Sequence, residues 1–358
     1  NLYRVRGDAL EPVLPMAAEF GQPLWVFGQA MYGFTGEEEI VATFIEQGTS
    51  RLVRIDLASG SVQPLATPFT DIDELAAGPG FVVALAASPT EAQQLVRIDA
   101  ATGAHEVLAR SVDASPAPGV VSVAEAISYP SVGGRSAHAF FYAPRNAGFE
   151  APAGTLPPLV VMSHGGPTGM SASSLRLSIQ YWTSRGIAVL DVNYGGSTGY
   201  GSAYRDLLRG QWGVVDVEDC VAGARHLAAQ GRVDGDRVAI RGGTAGGFTT
   251  LAEGRDPEDV RDLLSRYFDL ARGVVERYGG VVEKFIGDAV MAVWGAPIAN
   301  EDDAERAVRA GLELVDAVRA LGPELQARAG VLTGEAAVTM GAVGQGMVAG
   351  DLVNTASR

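Results

Sequence analysis

Arg241-Gly-Gly-Thr-Ala-Gly-Gly-Phe-Thr-Thr-Leu-Ala252 decides how this chain is read. A short apolar run, Arg237–Arg241, enters the stretch as a strand. Within it, Gly242-Gly-Thr-Ala-Gly246 has the outline G-x-S-x-G of a nucleophile elbow. There a sharp turn after a strand presents one side chain, and flanking glycines remove the steric conflict. Threonine, at Thr244, stands where that outline has serine. A β-branched side chain suits the unusual backbone of such a turn poorly. Threonine is a nucleophile where a neighbouring base activates it, so the substitution alone does not settle the chemistry.

Working outward toward the N-terminus, the pattern is α/β. Pro158–Ser163 reads as a short apolar strand, His164-Gly-Gly-Pro167 as a tight loop, Ser173–Ser184 as a helix and Ile187–Asn193 as a second buried strand. Asn193-Tyr-Gly-Gly-Ser-Thr-Gly-Tyr-Gly201 is a glycine-rich loop. Asp216–Gln230 reads as a helix with Val217, Cys220, Val221, Ala224 and Leu227 on one face. Alternating strands and helices predict a parallel sheet whose working loops sit at the strand C-termini.

Residues 1–148 are strand-rich. Arg51-Leu-Val-Arg-Ile-Asp-Leu-Ala-Ser-Gly60 and Gln94-Leu-Val-Arg-Ile-Asp-Ala-Ala-Thr-Gly103 resemble each other. Each alternates apolar and polar residues, turns at Ser-Gly or Thr-Gly and resumes as another strand, which is a hairpin signal. Recurrence at roughly 40 residues suits β-propeller blades; a generic antiparallel sheet is the plainer alternative. A whole propeller needs at least about four blades, so this region is the C-terminal part of one.

Bulk properties bound the function. The 358 residues suffice for two or three domains, and 47% hydrophobic content supports packed cores. A net charge of −15 argues against a nucleic-acid-binding face. It leaves room for a nucleotide, whose site needs only local cations. The single cysteine, Cys220, reads as a buried helical side chain and fits a reducing, cytoplasmic compartment. No apolar run approaches the ~20 residues of a membrane span. The opening Asn1-Leu-Tyr-Arg-Val-Arg6 has neither signal-peptide pattern nor initiator methionine and reads as the interior of a domain.

The succession His164-Gly-Gly-Pro167, Asn193–Gly201, Trp212-Gly-Val-Val-Asp-Val-Glu-Asp-Cys220 and Gly242–Gly247 resembles the prolyl oligopeptidase family of serine peptidases, in its acylaminoacyl-peptidase or dipeptidyl-peptidase-like branch. The resemblance implies a β-propeller before an α/β-hydrolase domain, a peptide substrate and no cofactor. It puts Thr244 at the nucleophile position, Tyr200 and backbone N–H groups at the oxyanion, and His164 in the loop beside them. In the hydrolase order the acid and then the histidine follow the nucleophile. The chain has four histidines, His105, His138, His164 and His226, and none follows Thr244. Without a general base the triad cannot operate.

Beyond Glu253 the character changes. Asp256-Pro257 marks a helix start. Val260, Leu263, Leu264, Tyr267, Phe268, Ala271, Val274, Val275 and Tyr278 then form an apolar stripe that ends at Gly279-Gly280. Val281–Ile286 and Ala289–Trp294 read as strands around Gly287-Asp288. Asn300 is the expected cap of a second helix whose core face carries Ala304, Ala307, Val308, Leu312, Val315 and Val318. Further strands are expected at Ala327–Leu332 and Ala336–Met340.

Gly247-Phe-Thr-Thr-Leu-Ala252, Glu283-Lys-Phe-Ile-Gly-Asp-Ala-Val-Met-Ala-Val-Trp-Gly295, Ala329-Gly-Val-Leu-Thr-Gly-Glu335 and Gly350–Arg358 resemble the catalytic domain of class III adenylate/guanylate cyclases. The resemblance implies ATP or GTP as substrate, Mg²⁺ or Mn²⁺ as cofactor, and a dimer. Asp288 matches a metal carboxylate; the second falls on Thr244, whose neutral hydroxyl is a weak Mg²⁺ ligand. Lys284 matches the purine-reading position, with its partner position at Met347. Phe248 and Thr249 match phosphate-binding backbone, and Asn354 and Arg358 the transition-state pair. The match stops at Arg358, before the family's closing helix and strands.

The fold expected is therefore mixed α/β. It comprises a partial β-propeller at 1–148, the N-terminal half of an α/β-hydrolase sheet at 149–247 and a truncated, ferredoxin-like cyclase domain at 248–358. Three functional readings stand: a peptidase-derived protein, a dimeric purine nucleotide cyclase, and a chimera of the two joined near Gly242–Ala252 with neither site complete; a non-catalytic binding or interaction protein is a further alternative.

Overall fold

The computed structural model describes residues 1–22, 29–112, 116–243, 246, 257–286, 289–296, 298–322, 325–334, 337–338 and 348–349. The chain divides into one unit of residues 1–24 with 28–250 and a second of 25–27 with 251–358.

The first unit opens with an antiparallel hairpin, β1 (Leu2–Arg6) and β2 (Ala9–Leu14). Two four-stranded antiparallel meanders follow. One is β3 (Tyr32–Gly36), β4 (Glu39–Glu46), β5 (Thr49–Asp56) and β6 (Val62–Leu65); the other is β7 (Asp71–Gly78), β8 (Phe81–Ala87), β9 (Gln94–Asp99) and β10 (His105–Arg110). The two repeats read from the sequence are β5–β6 and β9–β10. Their turns share one device. Asp56 accepts bonds from the Ser59 backbone and hydroxyl, and Asp99 accepts the same pair from Thr102. Gly60 and Gly103 then take φ of 72° and 76°, the left-handed region a side chain resists. Val41, Leu52, Ile72, Val82, Val96 and Ile98 bury a common core between the meanders. The sheets are blade-like and do not close a ring.

The second layer is a five-stranded sheet in the order β11 (Glu125–Pro130), β12 (Ser136–Tyr142), β14 (Ala188–Asn193), β13 (Leu159–Ser163), β15 (Val238–Gly242). β13 runs parallel to both β14 and β15, while β12 is antiparallel to β14. β11 and β12 lie upstream of the 148/149 boundary expected from the sequence. Every residue of β13 and β14 is buried, as a central parallel strand covered on both faces requires. Helices α1 (Leu177–Thr183), α2 (Ser202–Arg205) and α3 (Val215–Ala229) accompany the sheet.

The inward face of α3 differs from the sequence expectation. Val215, Asp216, Asp219, Cys220, Gly223 and Leu227 are buried, whereas Val217 and Val221 are half-buried at its flank. Two aspartates turn inward because loop N–H groups await them: Gly213 N–H donates to Asp216 (2.7 Å) and Gly195 N–H to Asp219 (2.7 Å).

In the second unit α4 (Pro257–Arg277) buries Leu263, Leu264, Ala271, Val274 and Val275 along the stripe read from sequence. Gly279, at φ 74°, ends it. β16 (Val281–Ile286) and β17 (Ala289–Val293) pair antiparallel, and α5 (Asp303–Leu321) follows. Asn300 does not cap α5. Asp302 holds the cap position, and the Asp303 carboxylate instead accepts the Asn300 N–H (2.6 Å). The core face of α5 is also rotated from the expected one. Ala307, Ala310 and Val318 are buried, while Ala304, Val308 and Leu312 are exposed. Residues 325–334 contain no strand, and the next pairing described is the two-residue β18 (Ala337–Val338) with β19 (Val348–Ala349). Among the described residues no helix is long and apolar enough to cross a membrane.

Candidate functional site

Three loops converge where β13, β14 and β15 end, the place an open parallel sheet offers for a ligand. The third begins at Gly242. A Cβ there would lie 2.0 Å from the Gly246 carbonyl oxygen, and one on Gly246 would lie 2.3 Å from that of Ser163. Both approaches are far inside van der Waals contact, so Gly242 comes this close to Gly246, and Gly246 to the end of β13, only because both are glycine. Thr244 itself lies outside the described residues.

His164 follows β13. Its ring stacks on Tyr194, with centroids 4.3 Å apart, and Nε2 lies 2.7 Å from Ser197 Oγ. Ser197 Oγ is also 2.7 Å from the Tyr194 carbonyl, and His164 Nδ1 is 3.1 Å from that of Gly165. Two neutral tautomers fit the Ser197 contact, and only the Nδ1–H form also satisfies the Gly165 carbonyl. Nδ1–H donates to Gly165 while Ser197 donates to Nε2, or Nε2–H donates to Ser197, which donates on to Tyr194. Enclosure in this packing pushes the imidazole down to about 4. The Ser–His distance resembles that of a nucleophile–base pair, yet Ser197 is fully buried. The pair staples the first loop to the second.

Asn193 closes β14 and ties the same two loops from below. Its carboxamide accepts the Ser171 N–H (2.7 Å) and donates to the Ser171 carbonyl (3.0 Å). It also donates to Tyr200 Oη (3.1 Å), leaving the phenol's own O–H to donate elsewhere. Tyr200 is half-buried, and burial pushes its phenol up to about 12, so it stays a neutral donor. The His138 ring lies flat against it, 4.4 Å away at 7°, with Nδ1 2.8 Å from Ser128 Oγ. Burial holds the His138 imidazole below its usual range.

Asp219 fixes the start of the glycine-rich loop. Besides Gly195 N–H, its carboxylate takes the Ser131 hydroxyl and Arg135 (3.3 Å), and Arg135 also meets Glu218 (2.7 Å). Asp191 is a further buried carboxylate, bonded by Ser171 Oγ (2.7 Å) and Arg176 (2.6 Å). Burial pushes its carboxyl up despite the opposing charge of Arg176.

The structure describes two of the residues expected from sequence, His164 on the loop after β13 and Tyr200 on the loop after β14. It adds Asn193, Ser197 and Asp219, each visible only as part of a quoted motif. Lys284 lies in β16, paired in register with Met291. Asp288, Phe248, Thr249, Asn354 and Arg358, with Thr244, lie outside the described residues. No group of three or more His, Cys, Asp or Glu that could hold a metal occurs among the described residues. The donor set at the expected cyclase metal position is one carboxylate and one neutral hydroxyl, which does not fit two divalent cations.

The other two histidines are engaged elsewhere. His226 stacks on Tyr129 at 5.7 Å, and His105 meets Phe69 edge-on at 4.9 Å.

Two families of known proteins match the chain. Residues 173–258 match the model of the prolyl oligopeptidase family, and residues 235–358 that of the adenylate and guanylate cyclase catalytic domain. The two matches overlap at 235–258. The structure of a puromycin-hydrolyzing peptidase from Mycobacterium tuberculosis is similar with a TM-score of 0.67 and 42% identity, over 70% of this chain and 39% of that one. The acylamino-acid-releasing enzyme of Arabidopsis thaliana is 38% identical over 106 residues, 29% of this chain and 14% of its own length. Adenylate cyclase 1 of Rhizobium meliloti is 44% identical over 124 residues, 31% of this chain and 18% of its own length. The chain therefore spans well under half the length of each relative.

Proposed function

We propose that this chain, which joins a prolyl oligopeptidase family segment to an adenylate and guanylate cyclase catalytic domain segment, binds in its peptidase half without hydrolysing. One observation carries the reading. All four histidines are committed to packing: His164 to Tyr194 and Ser197, His138 to Tyr200, His226 to Tyr129 and His105 to Phe69. Among the residues of this chain none follows Thr244, and the four histidines present are each held by a ring or hydroxyl partner, so the general base of a hydrolase triad is not among them. A half-buried Tyr200 hydroxyl, held by Asn193 and kept neutral by burial, supports the binding part of this reading. Such a hydroxyl is enough to hold a carbonyl or carboxylate oxygen of a peptide and insufficient for turnover.

The test is a fluorophosphonate probe together with an aminoacyl amide substrate such as puromycin, applied to the chain and to Thr244→Ser. Neither labelling nor hydrolysis is expected from either protein. Labelling at residue 244 with release of the amine would overturn the reading.

A second reading is a purine nucleotide cyclase working as a dimer through Asp288, Lys284, Asn354 and Arg358. The 44% identity to an adenylate cyclase supports it. Formation of cyclic AMP or cyclic GMP with Mn²⁺, lost on Asp288→Ala, would establish it. With only Asp288 as carboxylate, Mg²⁺ or Mn²⁺ would be held at one position in place of two, and no activity is the outcome expected.

A further inference from the structure

Glu19 lies far upstream of the residues matched to the peptidase family. Its backbone is bridged to the end of β4, exchanging hydrogen bonds with Ile45 (2.9 and 2.8 Å). Its side chain is 9% exposed, and a carboxylate so enclosed requires donors. One comes from the loop that carries Tyr200 and the other from α2, which follows it. Oε2 accepts the Gly199 N–H (2.6 Å), and Oε1 meets the Arg205 guanidinium.

The opposite side of Gly199 is gripped as well. Its carbonyl accepts the Gly48 N–H (3.4 Å) from the β4–β5 turn. Gly199 has φ 96°, and a Cβ on it would lie 2.7 Å from Ile45 Cγ2. The turn then reaches Tyr200 directly, because a Cβ on Gly48 would lie 2.6 Å from the phenol oxygen. Tyr200 Oη is therefore bracketed by the Asn193 carboxamide and by the Gly48 backbone.

We propose that Glu19 is a positioning residue for Tyr200, acting through the Gly199 peptide, and that the Gln47–Gly48 turn is one wall of the subsite the Tyr200 hydroxyl serves. The assignment rests on the reading of Tyr200 as a retained donor to a bound oxygen. A first-blade carboxylate thus sets the hydroxyl that the sheet loop presents, and an incoming carbonyl must fit beneath the turn.

The test needs no ligand, so its outcome is separate from that of the binding reading. Hydrogen–deuterium exchange is followed by mass spectrometry on the full chain, on peptides covering 44–50, 194–205 and 215–229, with nitration of Tyr200 by tetranitromethane as a second readout. Glu19→Ala is expected to speed exchange in the first two peptides about tenfold and to speed Tyr200 nitration, with 215–229 unchanged. Glu19→Gln, which keeps an acceptor for Gly199 N–H but loses the charge facing Arg205, is expected to fall between. Arg205→Met guards against a variant that fails to fold and is expected to raise exchange at 194–205 by about threefold. Exchange and nitration within twofold of wild type in Glu19→Ala would overturn the proposal. So would faster exchange in all three peptides together.

Discussion

Acid should destabilise the first unit through His164, and the size of the effect follows from the enclosure of its ring. The neutral Nδ1–H imidazole is satisfied between Ser197 and Gly165, so a second ring proton brings a charge into an enclosed pocket where Arg176 opposes it. The folded group titrates at about 4, against about 6.5 in an unfolded chain. The folded value is the lower one, so between these values the unfolded state binds the extra proton. Stability from this group is complete above about pH 6.5, declines as pH falls, and is gone below about pH 4. A gap of about 2.5 units at about 1.36 kcal/mol per unit is about 3 kcal/mol. The residue keeps some solvent access, which places the measurable effect at roughly 2–3 kcal/mol. Asp71 and Asp191, whose carboxyls burial pushes up, act in the opposite sense. The informative quantity is therefore the stability difference between wild type and His164→Gln, from urea unfolding at steps between pH 7.5 and 4. That difference should shrink by roughly 2–3 kcal/mol across the range. Parallel profiles for the two proteins, or a His164 ring titrating near 6.5 by NMR, would refute the reasoning.

Asp219→Ala should cost about 1–3 kcal/mol, because it leaves the Gly195 N–H and the Ser131 hydroxyl without their acceptor while Arg135 keeps Glu218; a loss below about 0.5 kcal/mol in urea unfolding would show that water replaces the carboxylate. Gly223→Ala sets two effects against each other. Helix propensity favours alanine by about 1 kcal/mol, while the new methyl would sit 2.7 Å from Tyr129 Oη and from Leu190 Cδ2. Tyr129 is buried and its hydroxyl is bonded to the Asp219 carbonyl (3.0 Å), so it cannot retreat. Overpacking of about 1–3 kcal/mol should win, and a raised melting temperature would contradict this.

Much of the chain declares itself in one dimension. The repeated Arg-Ile-Asp turns fixed the two hairpins, since an aspartate and a hydroxyl three residues on make a self-contained turn. The strands β13, β14 and β15 and the helix α3 fall within a few residues of their sequence assignments, because an apolar run between glycines needs no distant information. The helical stripe of α4 is equally local. Where local pattern failed, the reason lies in partners. On α3 the buried face carries Asp216 and Asp219 because N–H groups from other segments satisfy them, which no periodicity of apolar residues reveals. On α5, Val308 and Leu312 look like core residues and are exposed. Hydropathy gives a helix a face but not the direction in which its neighbours lie.

The site divides in the same way. Sequence alone determined that no histidine follows Thr244 within these 358 residues, and that threonine stands where one resemblance expects a serine and the other a carboxylate. Only the tertiary structure decided what the remaining polar groups do. It spent His164 on a staple, gave Tyr200 to Asn193 and His138, and placed Glu19 against a glycine 180 residues away. Composition and motif record which chemistry a chain carries. Which donor meets which acceptor depends on the sheet that brings the loops together, and that is a property of the fold.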